Sequence, residues 1–523
     1  MHTGRAVVAA LLVAIGARVG VAPAERCPQV SPQAAEAAIA EGVRWLADGQ
    51  RSSGRYTYLR TDSGEDLGGY NVVRHGGVQL ALEQAAARGS ELAEETAERG
   101  RDWALGRLVP AGGGRALPEL DGTARTGASA LFARSLLERR AATGTEEHDD
   151  VLGDLGRFLR SQVDEVGGVS SVWDPTTQAP VPGAHDKFFT GQVLWALDGL
   201  ADVGLDEGET DALERVGRYL PRRDELEDFF PPVSDHWGAY AYDGLGLDRL
   251  TAIQEAHARR VADLIGMQVR GESTRWKGGL VSVIRGGQAS GSGVGTLGEG
   301  GSALLRLFGP DELPGMTERI RCNAGMLVER QADDGAWYHA GATRMDDQQH
   351  SISALIAALP VLDAGADAVG GGAESHSWLW LLAAVLVVAN PFRPVRPART
   401  VSVAMGAAAT VLVVLSGPIL DALDVSPASA RAAAGAALAL AALSTLAAPA
   451  SSGTAGVVAA SAALVALALG ADDGGSALLV VAGATSLALL LPKALRSATA
   501  ARLVCVGALL LAADLLIDGI LGV

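Results

Sequence analysis

Between residues 30 and 362, apolar positions recur at helical spacing in twelve segments, and no alternating strand pattern of any length competes. One set runs near 33–48, 91–108, 148–162, 209–220, 253–268 and 313–331. These segments carry Glu, Arg and Asp on one side and apolar residues on the other, as outer helices do. The second set runs near 71–87, 125–140, 189–202, 236–247, 298–308 and 348–361. It is rich in small residues: Gly76, Gly77, Ala128, Ala130, Gly191, Ala196, Gly300, Gly301 and Ala354. Small residues let helices approach closely, as a crowded inner layer requires. Polar residues open the second set near Asn71, Thr123, Lys187, Asp235, Thr296 and Asp346, at separations of 52, 64, 48, 61 and 50 residues. Six such openings predict six helix pairs.

A second repeat runs through the same region. A helix end with Leu or Ile is followed by Gln and then by a turn holding Gly and an aromatic. It is seen at Leu46, Gln50, Gly54 and Tyr56, and again at Leu159, Gln162, Gly167 and Trp173. It returns at Ile265, Gln268, Trp276 and Gly278, and at Leu327, Gln331, Gly335 and Trp337. With the hairpin count, these turns make residues 30–362 resemble the (α/α)6 toroid superfamily of terpene cyclases, protein prenyltransferases, six-hairpin glycosidases and toroidal polysaccharide lyases. The resemblance implies an all-α ring of six helical hairpins. The Asp-x-Asp-Asp acid motif of squalene-type cyclases is missing, since Asp333-Asp334 and Asp346-Asp347 do not match it. The Asp, Cys and His zinc set of protein prenyltransferases is not evident. Fold analogy alone does not give function.

The rest of the chain is a different material. Hydrophobic stretches near 377–391, 400–420, 431–449, 454–471, 475–492 and 502–521 are mostly long enough to cross a hydrocarbon core. Arg393, Arg396, Arg399, Lys493, Arg496 and Arg502 lie in alternate connections; Asp421, Asp424, Asp472 and Asp473 lie in the others. With the basic loops inside, the toroid lies outside and so does the C-terminus. Met1–Arg5 is basic, Ala6–Val21 is mostly apolar and Ala22-Pro23-Ala24 is a small-residue cleavage pattern. The expected order is therefore a signal peptide or anchor over 1–24, an extracytoplasmic toroid over 25–364, a linker over 365–376 and a six-span domain over 377–523 of a multi-pass cell-membrane protein. Asp514 and Asp518 share a face of the last span, as a proton path or as the end of a shorter span. More spans than anchoring needs point to a membrane-protein partner, a homo-oligomer or a lipid-linked substrate.

Charge sharpens this picture. The net charge is −17, and the first 373 residues hold 36 basic and 53 acidic residues, hence all of it. Such a balance argues against nucleic-acid binding. Of three cysteines, Cys505 falls in the last span; Cys27 and Cys322 either pair in an oxidising compartment or stay free. Gly293-x-Gly295-x-x-Gly298 matches a dinucleotide fingerprint without the surrounding strands, and reads as a flexible loop before an inner helix.

The chemistry concentrates at the six openings. They carry Tyr70, Asn71, Arg74 and His75; Arg125; Lys187 and Gln192; Asp235, His236 and Trp237; Glu299; and Arg344, Asp346, Gln349 and His350. Singly, Asn71 or Asp235 is a helix cap and His75 an interior histidine. Together they predict one polar pocket for a glycan or a lipid-linked saccharide, with Asp346, His75, Asp235, His350 and His236 as candidate catalytic groups. Tyr70, Asn71, Arg74, Arg125, Lys187, Gln192, Trp237, Glu299, Arg344 and Gln349 are its candidate binding groups. A glycoside hydrolase would draw two opposed carboxylates from Asp235, Glu299 and Asp346. A lyase or epimerase would use Asn71, Arg74, His75, His236 and nearby tyrosines. No cofactor is expected, with zinc on His75, His236 and Asp346 as the outside case. The alternative is a non-catalytic glycan- or lipid-binding protein of the cell envelope.

Overall fold

The computed structural model describes residues 25–205, 211–227, 234–275 and 288–366. The expected leader and the six expected spans lie outside the described residues. Among the described residues no helix is long and apolar enough to cross a membrane. The toroid region is one compact unit, Cys27–Ser273 with Gln288–Val369.

Twelve helices carry the fold. They are α1 (Pro32–Asp48), α2 (Val72–Ala87), α3 (Glu91–Leu105), α4 (Thr126–Thr143), α5 (Asp149–Ser161) and α6 (Phe189–Asp202). Then come α7 (Asp211–Tyr219), α8 (His236–Leu245), α9 (Ala252–Ser273), α10 (Gly291–Phe308), α11 (Met316–Arg330) and α12 (Met345–Ala366). A 3-10 turn, Leu220–Arg222, and a four-residue helix, Arg223–Leu226, follow α7. The even-numbered helices close on themselves: α2 packs on α4, α4 on α6, α6 on α8, α8 on α10, α10 on α12, and α12 on α2. The odd-numbered helices pack outside them, α1 and α11 against α12, α3 against α2, α5 against α4, α7 against α6 and α9 against α10. This is the all-α toroid of six hairpins that the sequence predicts.

Small residues make the inner ring possible. A Cβ on Gly76 of α2 would press on Leu131 and on the backbone of Phe132 in α4. One on Gly191 of α6 would meet the Gly238 nitrogen of α8, and one on Gly300 of α10 the His236 Cα of α8. Gly295 of α10 lies against the His350 backbone of α12. Gly76, Gly191 and Gly295 join N-terminal parts of neighbouring inner helices, and Gly300, midway along α10, meets the start of α8, so these helices run parallel with their N-termini toward one side. The Gly293–Gly298 run is therefore not a loop: Ser290 caps α10, which begins before the expected opening at Thr296. Its glycines serve close packing, with Gly298 against Asn323 and Ala354.

The Gln–Gly–aromatic turns lock the outer ring. Gln50, after α1, donates its amide to the carbonyls of Gly54 and of Thr96 in α3, at 3.2 and 2.9 Å. Gln331, after α11, repeats this with Gly335 and with Ala38 of α1. Gly54, Gly167 and Gly335 have φ of +91°, +99° and +86°. A Cβ on each would fall on the backbone oxygen of Arg99, Arg215 or Glu41, in the next outer helix round. The turn thus brings backbone against backbone. Trp276 and Gly278, from the third copy, lie outside the described residues.

Short strands β1 (Leu59–Thr61), β2 (Val109–Ala111), β3 (Gly114–Ala116), β4 (Ala124–Arg125), β5 (Val172–Asp174), β6 (Ala179–Pro180) and β7 (Ala342–Arg344) line the connections. The antiparallel pair β1–β7, with Leu59 opposite Arg344, joins the first hairpin to the sixth and closes the ring. Cys27 and Cys322 are bonded, tying the segment before α1 to α11 across 295 residues.

Gly54→Ala should cost about 2–5 kcal/mol, from a left-handed alanine and a clash with the Arg99 backbone. Gly89→Ala, at φ +90° with nothing within 4 Å, should cost about 1–2 kcal/mol. Thermal unfolding of the two variants checks this; equal losses would mean that the turn does not hold the outer ring.

Candidate functional site

Three inner helices bring three titratable side chains together. His236 is the first residue of α8, Glu299 lies in α10 and His350 lies one turn into α12. Their ligand-type atoms all lie within 4.8 Å of one another, and all three residues are buried. The His350 Nδ1 is 2.6 Å from Glu299 Oε2. With Nδ1 engaged by Glu299, Nε2 is the remaining nitrogen of the ring. The Tyr240 hydroxyl donates to Glu299 Oε1 at 3.3 Å. Burial raises the pKa of Glu299, against the opposing pull of His350.

His236 stands apart in its hydrogen bonding. It is 2% exposed, and neither ring nitrogen has a hydrogen-bond partner among the described residues. Its ring contacts are aromatic: His350 edge-on at 5.0 Å, Trp237 at 4.3 Å and Phe188 at 5.9 Å between centroids. Burial, aided by the neighbouring His350, holds its pKa well below the ordinary 6.5. His236 is therefore neutral at physiological pH, with one lone pair and one N–H to offer. Trp237 also flanks His350, at 5.7 Å, and Trp195 stacks on Tyr240 behind them.

A second group sits one turn nearer the mouth. Asp346 and His350 are four residues apart on α12 and share a face. The Asp346 Oδ2 is 2.9 Å from Arg74 Nε, and its Oδ1 is 3.3 Å from Arg344 Nε. Arg74 also donates to the Tyr58 hydroxyl at 2.9 Å. The first and sixth hairpins thus meet across the ring seam, through Arg74 and Asp346. Gln349 places its amide nitrogen 3.1 Å from His350 Nδ1 and packs on Gly77.

Other candidates lie elsewhere. His75 is fully buried between α2 and α3, among Tyr56, Tyr70 and Trp103. Its Nε2 donates to the Gly100 carbonyl at 3.1 Å and its Nδ1 accepts from the Tyr70 hydroxyl at 2.7 Å. Both nitrogens are satisfied within the layer between the rings. Asp235 caps α8 through the Trp237 N–H and pairs with Arg223 at 2.7 Å, both side chains wholly buried. Asn71 caps α2. Gln192 is buried beside Gly127, its Oε1 without a hydrogen-bond partner among the described residues. Arg125 stands exposed, 3.9 Å from Glu119, and Lys187 lies over the Phe188 ring. The zinc set His75, His236 and Asp346 does not come together, because His75 is spent on Tyr70 and Gly100. His236, Glu299 and His350 offer instead the donor types of an open two-histidine, one-carboxylate metal site.

Sequence reasoning missed Tyr58 and Tyr240. Tyr240 is detectable as the i+4 neighbour of His236. Tyr58 becomes visible only once β1 pairs with β7.

No family model matches the chain, and no curated protein matches it. Solved toroid structures are similar in fold. Cellobiose 2-epimerase from Spirochaeta thermophila is 14% identical, with a TM-score of 0.47 over 64% of this chain and 98% of that one. A GH76 alpha-mannanase from Bacteroides thetaiotaomicron is 8% identical, with a TM-score of 0.47 over 64% and 97%. A type II terpene cyclase from Scytonema is 11% identical, with a TM-score of 0.41 over 63% and 99%. At these identities and scores the likeness transfers no activity to this chain.

Burial pushes His75 down to about 3 from 6.5. The unfolded chain then binds a proton that the folded chain refuses, so this stabilisation is complete above pH 6.5 and is lost as pH falls toward 3. His75→Gln should flatten the acid-side slope of melting temperature against pH. An unchanged slope would show that His75 does not set it.

Proposed function

We propose that the toroid is an enzyme that moves a proton on a saccharide bound at its mouth, in the manner of an epimerase or a lyase. The observation that carries this reading is the His350–Glu299 hydrogen bond beside a buried His236 with unpartnered nitrogens. Glu299 holds the His350 ring and stabilises the imidazolium formed when Nε2 takes a proton from carbon. His236 is adjacent to His350 rather than opposite it. Its N–H serves the oxygen on which negative charge gathers as the C–H bond breaks. Protonation of that carbon by water on its opposite face gives an epimer; departure of a β-substituent with its bonding electrons, protonated as it leaves, gives a lyase product. Phe188, half-buried beside His236, offers a flat apolar face for a sugar ring.

Hydrolysis fits less well. A glycosidase requires a carboxylic acid and a carboxylate facing the same bond. Each of the three candidates is engaged: Asp235 with Arg223, Glu299 with His350 and Tyr240, Asp346 with Arg74 and Arg344.

The setting we infer is the outer face of the cell membrane, with residues 377–523 as its multi-pass anchor. The hydropathy of that segment and its alternating basic loops support this, and so does the Cys27–Cys322 bond, which an exported domain can keep. Reporter fusions after Arg396 and after Val523 test it. The first should work only as a cytoplasmic reporter and the second only as an exported one; the reverse would invert the topology.

For the chemistry, the assay is deuterium wash-in from solvent into saccharides, followed by NMR. His350→Ala should abolish exchange, and Glu299→Gln should slow it roughly 10²–10⁴-fold. Exchange that needs neutral His236 should persist below pH 6.5, since burial keeps that ring unprotonated there. Saccharide binding without exchange in the wild type would replace the enzyme by a binding protein.

A further inference from the structure

We infer that the saccharide is anionic, its carboxylate or phosphate oxygens held by Arg344 and Arg74; this deepens the proton-transfer reading and rests on it. Two guanidinium groups, those of Arg74 and Arg344, lean on the single carboxylate of Asp346. Arg74 is fixed twice, by Asp346 and by the Tyr58 hydroxyl, with its guanidinium over the Tyr58 ring at 5.7 Å. Arg344 comes nearest to Asp346 through Nε, at 3.3 Å. Its two terminal nitrogens meet no partner among the described residues, and its side chain is 38% exposed. A planar pair of donors turned to solvent is the half of a bidentate contact that an anionic oxygen pair completes.

The neighbouring acids do not fill that role. Asp347 is spent on the N–H and hydroxyl of Ser292 and on the N–H of Arg344. Asp235 is buried against Arg223, and Glu299 against His350. Arg125, held only at 3.9 Å by Glu119, and exposed Lys187 add further positive charge at the openings. This occurs on a chain whose net charge is −17.

The spacing links this subsite to the reacting group. Asp346 and His350 lie one turn apart on α12, about 6 Å, which a single sugar ring spans. A carboxylate gripped at Arg344 also makes the adjacent C–H easier to ionise, because the guanidinium offsets charge that builds on the carboxylate as the proton leaves. The group that anchors the sugar would then be the group that activates it.

The test uses the full-length protein and saturation-transfer NMR with two sets of probes. One set holds methyl glycuronides of the gluco, galacto and manno series with their neutral methyl glycosides; the other holds the matching hexose 1-phosphates. At least one anionic probe should bind about tenfold or more tightly than its neutral counterpart, and which set wins assigns carboxylate or phosphate. Arg344→Gln should erase that preference. Arg344→Lys, keeping the charge without the fork, should retain part of it, and circular dichroism should show both variants folded. Equal binding of charged and neutral partners, no binding of any anionic probe at millimolar concentration, or a preference that survives Arg344→Gln would overturn the inference. Anion preference without deuterium exchange would sink the proton-transfer reading and leave this one standing.

Discussion

The structure depends on backbone approaching backbone. Each inner helix touches two inner neighbours and its outer partners, so it is buried nearly all round; in α6 every residue from Phe189 to Leu200 is inside. Helices so crowded need residues without bulk where they cross. That requirement places Gly76, Gly191, Gly295 and Gly300 at the ring contacts, and it sets Gly54, Gly167 and Gly335 beneath the outer helices. Once the inner helices lie parallel at this distance, their N-terminal residues have nowhere to go but one mouth. The site is a consequence of how closely the ring packs.

The same crowding decides the fate of each polar group. A charge enclosed by helices must be paired, and a buried hydrogen-bonding group must find a partner. Arg223 and Asp235 meet this demand completely and anchor the start of α8, directly before His236. His75 meets it through Tyr70 and Gly100. His75 and Asp235, both satisfied by their neighbours, belong to the frame, whereas His236, Glu299 and His350 gather as the candidate site. Sequence position could not make this distinction, because His75 and His350 look alike one turn into an inner helix.

The legible parts of the chain are those governed by local period. Helix spacing, small residues and the Gln–Gly–aromatic turn are carried by neighbours in sequence, and the six pairs follow from them. The Gly293–Gly298 run reads as a loop because glycine usually weakens helices; here close approach of Asn323, Ala354 and His350 outweighs that local preference. The Glu299–His350 pair spans 51 residues and the Arg74–Asp346 pair joins the two ends of the ring. No local pattern specifies either. They exist because α10 abuts α12 and because β1 meets β7, which are properties of closure.

His236 is where the demands of folding and of chemistry part. An imidazole this deep, with both nitrogens unpartnered, lowers stability by roughly 1–3 kcal/mol for each orphaned polar group. Glu299 is likewise an expensive way to fill α10, its charge opposed by burial and kept only by His350 and Tyr240. His236 stays open among the described residues, beside a histidine hydrogen-bonded to a carboxylate, and the proposed proton transfer draws on that pairing.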